Sequence, residues 1–139
     1  MGKSTHTAKY VAAFPDAVII NDDKPALRRL DGQWVVFGTP WCGKDGINAN
    51  LSAPLAGICF LHRGERAIRQ LSALEALPQL LSQTVGRGNA ERAELLLRLL
   101  NLLLQETPCF DFHNRAEAGD ELVTYETMRE AFARKDMQA

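Results

Sequence analysis

The sequence predicts an α/β domain in which helices flank a mixed β-sheet. Three observations lead to that class. Short β-branched and aromatic runs, such as Gln33-Trp34-Val35-Val36-Phe37, recur between stretches with helical patterning. Ser72 and Glu75 form the Ser-x-x-Glu signature of a helix start directly after a strand-like run. A leucine-rich stretch at 90–105 has the length of a long helix and is followed by an alternating run at 109–113.

Residues 4–13 read as a first helix with Ala8, Val11 and Ala12 on its apolar face, ended by Phe14-Pro15-Asp16. Residues 17–20, Ala-Val-Ile-Ile, read as a buried strand. Pro25 breaks the chain, and residues 26–37 read as a β-hairpin turning at Asp31-Gly32. Residues 38–53 form a long polar loop with three glycines. Loops of that length inside compact domains are functional or disordered, and Trp41 argues against disorder. Residues 55–61 read as a buried strand, 62–65 as a turn and 66–71 as a further strand.

The helix opened by Ser72 has Leu74, Leu77, Leu80 and Leu81 as its buried face, and Pro78 should kink it or shorten its start. Gly86-Arg87-Gly88 separates it from a second helix, capped by Asn89 and running to about Gln105. That helix is apolar almost all round, so it should be largely buried or lie at an interface. A last helix spans 119–133, with Leu122, Tyr125, Met128 and Phe132 on one stripe.

The chain of 139 residues is 46% hydrophobic and 24% charged, which suits a single domain over 1–139. A net charge of −1 gives no global field for nucleic acid or an anionic membrane, and no apolar stretch has membrane-spanning length. The start carries no apolar leader, and the three cysteines form neither a zinc pattern nor a disulfide framework. A reducing cytoplasm is therefore the expected compartment. Trp41-Cys42-Gly43 lacks the second cysteine of a redox site, so Cys42 reads as a plain thiol. His6, His62 and His113 show no metal-ligand spacing and read as surface or loop histidines.

Two stretches carry candidate chemistry. Gly2-Lys3-Ser4-Thr5 matches the last half of a phosphate-binding loop. In such a loop backbone N–H groups cradle phosphates, the lysine reaches the terminal phosphates and the hydroxyl holds Mg²⁺. Only Met1 precedes Gly2, so the front glycine of the loop and the strand feeding it are absent. Asn21-Asp22-Asp23 follows the 17–20 run. One carboxylate there can serve Mg²⁺ while the other takes a proton from an attacking hydroxyl. The same residues also suit an N-terminal tail entering a helix and an ordinary turn.

Taken in order, Gly-Lys-Ser-Thr-His-Thr-Ala, Ile-Asn-Asp-Asp-Lys-Pro-Ala-Leu, Gly-Thr-Pro-Trp-Cys-Gly-Lys, Ala-Pro-Leu-Ala-Gly-Ile-Cys-Phe-Leu and Leu-Ser-Ala-Leu-Glu-Ala-Leu resemble the HPr kinase / phosphoenolpyruvate carboxykinase-like group of bacterial proteins. The resemblance runs from Gly2 to about Phe132. It implies that group's nucleotide-binding fold without its N-terminal strands, a partial domain truncated at its start. It also implies Mg²⁺ with ATP or GTP. Lys3 would sit on the phosphates within the loop Gly2, Lys3, Ser4 and Thr5, Ser4 and Asp22 would serve the metal, and Asp23 would be the general base. Lys44, by its position and charge, is expected as a second phosphate or substrate contact.

The expected function is a nucleotide-dependent phosphotransferase acting on a hydroxyl of a protein or small molecule, with nucleotide held weakly by the half-loop. The alternative is a non-catalytic remnant or interaction module that keeps the fold. Two structural expectations follow. Asp22, Asp23 and Lys44 should share a cleft, and the missing strand should leave an edge beside 17–20 open to pairing with a second copy, making a homo-oligomer.

Overall fold

Two three-stranded sheets and four helices build the fold, as seen in a computed structural model that describes residues 2–84, 86 and 88–138. The first sheet begins as the expected hairpin, β1 (Ala26–Leu30) against β2 (Gln33–Phe37), with Leu30 opposite Gln33. Asp31 and Gly32 both take left-handed backbone angles, φ 47° and 80°, which match the twist of a two-residue hairpin turn. The long loop after β2 is not irregular to its end. Its last residues pair with β2 as a short strand, β3 (Ser52–Pro54), with Ala53 opposite Val36.

The second sheet is mixed. It contains β4 (Ile58–Arg63), β5 (Ala67–Leu71) and β6 (Cys109–Asn114) in the order β4-β6-β5. β6 is parallel to β4 and antiparallel to β5. Strand alternation gives this sheet two different faces. Ile58, Phe60, Leu71 and Cys109 join a core with Ala76 and Leu80 of α2 (Ala73–Gln83) and Leu100, Leu103 and Leu104 of α3 (Ala90–Glu106). Phe110 and Phe112 turn to the opposite face, where α1 (Lys3–Ala13) and α4 (Asp120–Gln138) pack together; the His6 ring lies 5.6 Å from that of Phe112. Trp34 of β2 ties the two sheets together. It is buried in the α2–α3 core, and its Nε1–H donates to Glu106 Oε2 at 2.8 Å. Arg29, opposite Trp34 in the ladder, forks onto the same carboxylate at 2.9 and 2.8 Å.

The capping box forms as read. Ser72 Oγ accepts from the Glu75 N–H, and Glu75 reaches back to the Ser72 N–H at 2.8 Å. Pro78 neither shortens nor breaks α2, which starts at Ala73 and runs on past it. The carbonyl deprived of its partner is that of Leu74, a residue 84% exposed, so water reaches the site. Asn89 caps α3 by accepting from the Arg92 N–H at 3.1 Å. Of the Gly86-Arg87-Gly88 break, Arg87 lies outside the described residues; α2 ends at Gln83 and α3 begins at Ala90.

Several expectations are corrected. Residues 17–20 form no strand. Among the described residues they make a turn bond, the Ala17 N–H to the Phe14 C=O at 2.9 Å, and a bond from the Ala49 N–H to the Ile20 C=O at 2.9 Å, next to an isolated bridge between Asn21 and Asn48. With no strand alongside, the β-rich composition of 17–20 has nothing to pair with, and Val18 is 65% exposed. The open edge expected beside a 17–20 strand therefore loses its premise. The strand read at 55–61 lies later, at Ile58–Arg63, because Leu55 continues the first sheet by donating its N–H to the Trp34 C=O.

Helix α1 does not dock through Ala8, Val11 and Ala12, all exposed, but through His6, Lys9, Tyr10 and the following Phe14. Helix α4 correspondingly buries Asp120, Thr124 and Ala131, while Leu122, Tyr125 and Phe132 of the expected stripe stay exposed and Met128 is half-buried. Asp120 and Thr124 of α4 meet the polar edge of α1, and Tyr125 meets Phe14 just past its end, so polar side chains face inward beside the aromatic contact. Helix α3 is buried on one side only: Leu95, Leu97 and Leu99 are 58%, 48% and 42% exposed. No helix among the described residues is long and apolar enough to cross a membrane.

Candidate functional site

The start of α1 stands at the C-terminal ends of the parallel strands β4 and β6. Gly2 is its N-cap, with φ 99° and no capping side chain, and the first helical bond runs from the His6 N–H to the Gly2 C=O at 3.0 Å. The N–H groups ahead of it have no intrahelical acceptor. A cavity of about 390 Å³ opens here. Gly2, Thr5 and Lys9 line it from α1, Arg63 and Arg115 from the segments at the ends of β4 and β6, and Asp120 from α4. Three cations thus face one carboxylate. A helix N-terminus, a left-handed glycine and clustered guanidinium groups together form a setting for a phosphate-like anion.

Asp120 is fully buried and organises the cationic side. Its Oδ1 accepts from Arg66 Nε at 2.8 Å, and Lys9 Nζ lies 3.8 Å from Oδ2. Lys9 also donates to the Glu117 carbonyl and Arg66 to the Ala118 carbonyl, which fixes the turn before α4. Asp120 Oδ2 itself has no hydrogen-bond partner. Deeper in, His6 Nε2 and Tyr10 Oη both reach Thr124 Oγ1, at 3.1 and 2.8 Å. Burial pushes the His6 ring below its ordinary pKa, against the pull of Asp120, and pushes the Tyr10 phenol up.

The residues singled out in the sequence fall in two places. Gly2 and Thr5 line the cavity, whereas Lys3 and Ser4 are exposed on the first turn and do not. Asp22, Asp23 and Lys44 do not line it either. Asp22 clasps the long loop: Oδ1 accepts from the Gly43 N–H at 2.6 Å and Oδ2 from the Asp45 N–H at 3.1 Å. The Gly43 bond is the largest influence holding the Asp22 carboxyl below its ordinary pKa. A side chain at Gly43 would meet Asp22 Oδ2 at 3.1 Å, so the close approach depends on glycine. Asn21 extends the clasp, donating to the carbonyls of Thr39 and Trp41 at 3.1 and 2.9 Å. Lys44 is exposed within the turn that Asp22 holds, and Asp23 pairs with Lys24 at 3.9 Å. For Mg²⁺-nucleotide the phosphate side of the group fits the cavity. The Ser4 and Asp22 donors are not assembled there, and Asp22 already spends both oxygens on backbone.

A second cluster was missed by sequence spacing. His62, Asp111 and His113 present ligand atoms that all lie within 4.8 Å of one another. His62 Nε2 donates to Asp111 Oδ1 at 3.0 Å, Gln79 Nε2 donates to the same oxygen at 2.8 Å, and the two imidazoles stack 4.8 Å apart. Burial pushes the Asp111 carboxyl up, but the bonds from Gln79 and His62 outweigh it and hold the group below its ordinary pKa. Asp-x-His on an alternating strand was the available signal. His62 joins it only through the parallel register that sets it opposite His113.

Compared with known protein families, characterised proteins and solved structures, the chain matches none of them.

Proposed function

We propose that this chain binds the phosphate groups of ATP or GTP at the start of α1 and transfers a phosphoryl group to a hydroxyl of a protein or small molecule. In this reading it is a cytoplasmic protein with a nucleotide-binding fold of the HPr kinase / phosphoenolpyruvate carboxykinase type. One observation carries the reading: α1 begins at a left-handed Gly2 without a capping side chain and opens on a cavity lined by Lys9, Arg63 and Arg115. Its place at the carboxyl ends of parallel strands is where open α/β sheets take ligands. When bound, Mg²⁺ supplies charge neutralisation between phosphates. The groups offered by the chain are the first-turn N–H donors and the cations, with Arg115 more directly placed than Lys3.

Calorimetry with Mg²⁺-ATP, Mg²⁺-GTP and pyrophosphate tests the reading. Weak, millimolar binding is expected, and Arg115→Ala should weaken it by about tenfold, the value of one charge-assisted contact. Failure of all three ligands to bind would remove the proposal. A second reading, a non-catalytic interaction module, is favoured by the use of Asp22 as a loop clasp rather than a cleft group. Bound nucleotide that is neither hydrolysed nor consumed, with Asp23→Asn unchanged from the parent, would select that reading.

A further inference from the structure

Strand alternation sets Asp111 and His113 on the same face of β6, and the β4–β6 register sets His62 directly opposite His113. Two imidazoles and a carboxylate from different parts of the chain therefore converge on the α2 side of the central sheet. We propose that His62, Asp111 and His113 bind one divalent transition-metal ion, with Zn²⁺ the ion their chemistry favours.

The donor set is the first reason. Two nitrogens and one oxygen suit Zn²⁺, Fe²⁺ or Ni²⁺, whereas Mg²⁺ and Ca²⁺ call for oxygen throughout. Geometry is the second. His62 Nε2 and Asp111 Oδ1 are 3.0 Å apart, close to the separation of about 3.3 Å between two donors on a tetrahedral Zn²⁺ with bonds of about 2.0 Å. The third donor, on His113 one residue before the end of β6, is within 4.8 Å of the other two. Gly64 leaves that ring its room, since a Cβ there would stand 3.2 Å from His113 Nδ1.

The surroundings are the third reason. Asp111 is 8% exposed and is aimed by Gln79, as outer groups commonly aim a ligating carboxylate. Arg69 approaches Asp111 Oδ2 at 3.7 Å but is held by Glu75 at 2.7 Å. Glu75 thus draws Arg69 away from Asp111, whose carboxylate keeps charge to offer a cation. Three protein donors leave a fourth position for water or a ligand, as in reactive rather than purely structural zinc sites. The inference stands apart from the phosphate reading, sharing with that cavity His62 and Gly64 and neither Asp111 nor His113.

The test is calorimetric titration of chelator-stripped full-length protein with Zn²⁺, and Co²⁺ titration followed by absorbance. One ion per chain is expected, with Co²⁺ giving the ligand-field bands of a four- or five-coordinate nitrogen–oxygen site. His113→Ala and Asp111→Asn should each weaken Zn²⁺ by more than about tenfold and remove the bands, and Gln79→Ala should weaken it by about ten- to a hundredfold. Cys42→Ser, at an exposed thiol outside the cluster, should change nothing. Melting curves of the metal-free variants establish folding, and His113→Gln takes the place of either variant that does not melt cooperatively. Absence of saturable Zn²⁺ and Co²⁺ binding would overturn the proposal. So would undiminished binding in folded His113→Ala or His113→Gln, or loss of binding in Cys42→Ser.

Discussion

Cys59 and Cys109 show how position silences a reactive group. Burial pushes their thiols up to about 12 and about 11, with Asp111 adding to the effect at Cys59. Cys42 is exposed. A disulfide reagent such as Ellman's should therefore label the native protein once, at Cys42, and reach the other two only in denaturant. Cys42→Ser should abolish the fast phase; a fast phase that survives would contradict the burial argument. Ser72 and Glu75 were readable from sequence because a capping box is purely local. The His62–Asp111–His113 cluster was not, since its meeting depends on which strands pair and in what register. Asp22 was recognised as special, but its partners are the backbone groups of Gly43 and Asp45, which carry no sequence mark.

Helices and strands came through where local chemistry decides them. The Asp31-Gly32 hairpin, the Ser72 cap and the Asn89 cap all lie where their own residues dictate. Residues 17–20 failed because a strand needs a partner, which composition cannot supply. Helix α3 marks the same limit: its leucines announce an apolar helix but not which side is covered. Leu103 is 2% exposed, so Leu103→Ala should cost about 2–5 kcal/mol in urea or thermal unfolding. Leu97→Gln, at 48% exposure, should stay within about 0.5 kcal/mol of the parent. Equal costs would mean that the outer leucines are covered in solution. Ser72→Ala should cost about 1 kcal/mol by removing the cap of α2.

Across the protein the shifted groups that titrate below neutrality all move downward. His6 is lowered from 6.5 by burial, modulated by Asp120, Lys9 and Glu121. Below that ordinary value the unfolded chain gains a proton that the folded ring resists, so stability falls as pH drops from 6.5 toward the folded pKa. Glu75 is held at about 2, first by the Ser72 N–H and then by Arg69, and Glu106 is lowered first by Arg29. Their stabilising effect is present above the ordinary carboxylate range and is lost as pH falls through it toward the folded values. The urea midpoint should therefore be level near neutrality and fall in two stages on acidification. His6→Gln should erase the upper stage, and a midpoint that rises below pH 6.5 would contradict the assignment.

The order β4-β6-β5 has a consequence for the birth of the protein. β4 and β5 are consecutive in the chain, yet each forms its ladder with β6, which begins only at Cys109. During synthesis both outer strands must leave the ribosome unpaired and wait for the central one. Phe110 and Phe112, the largest side chains sealed from solvent, arrive with it. The second sheet and its two helical layers should thus assemble in one late step, and a nascent chain arrested before Cys109 should remain open to proteases that spare the finished protein.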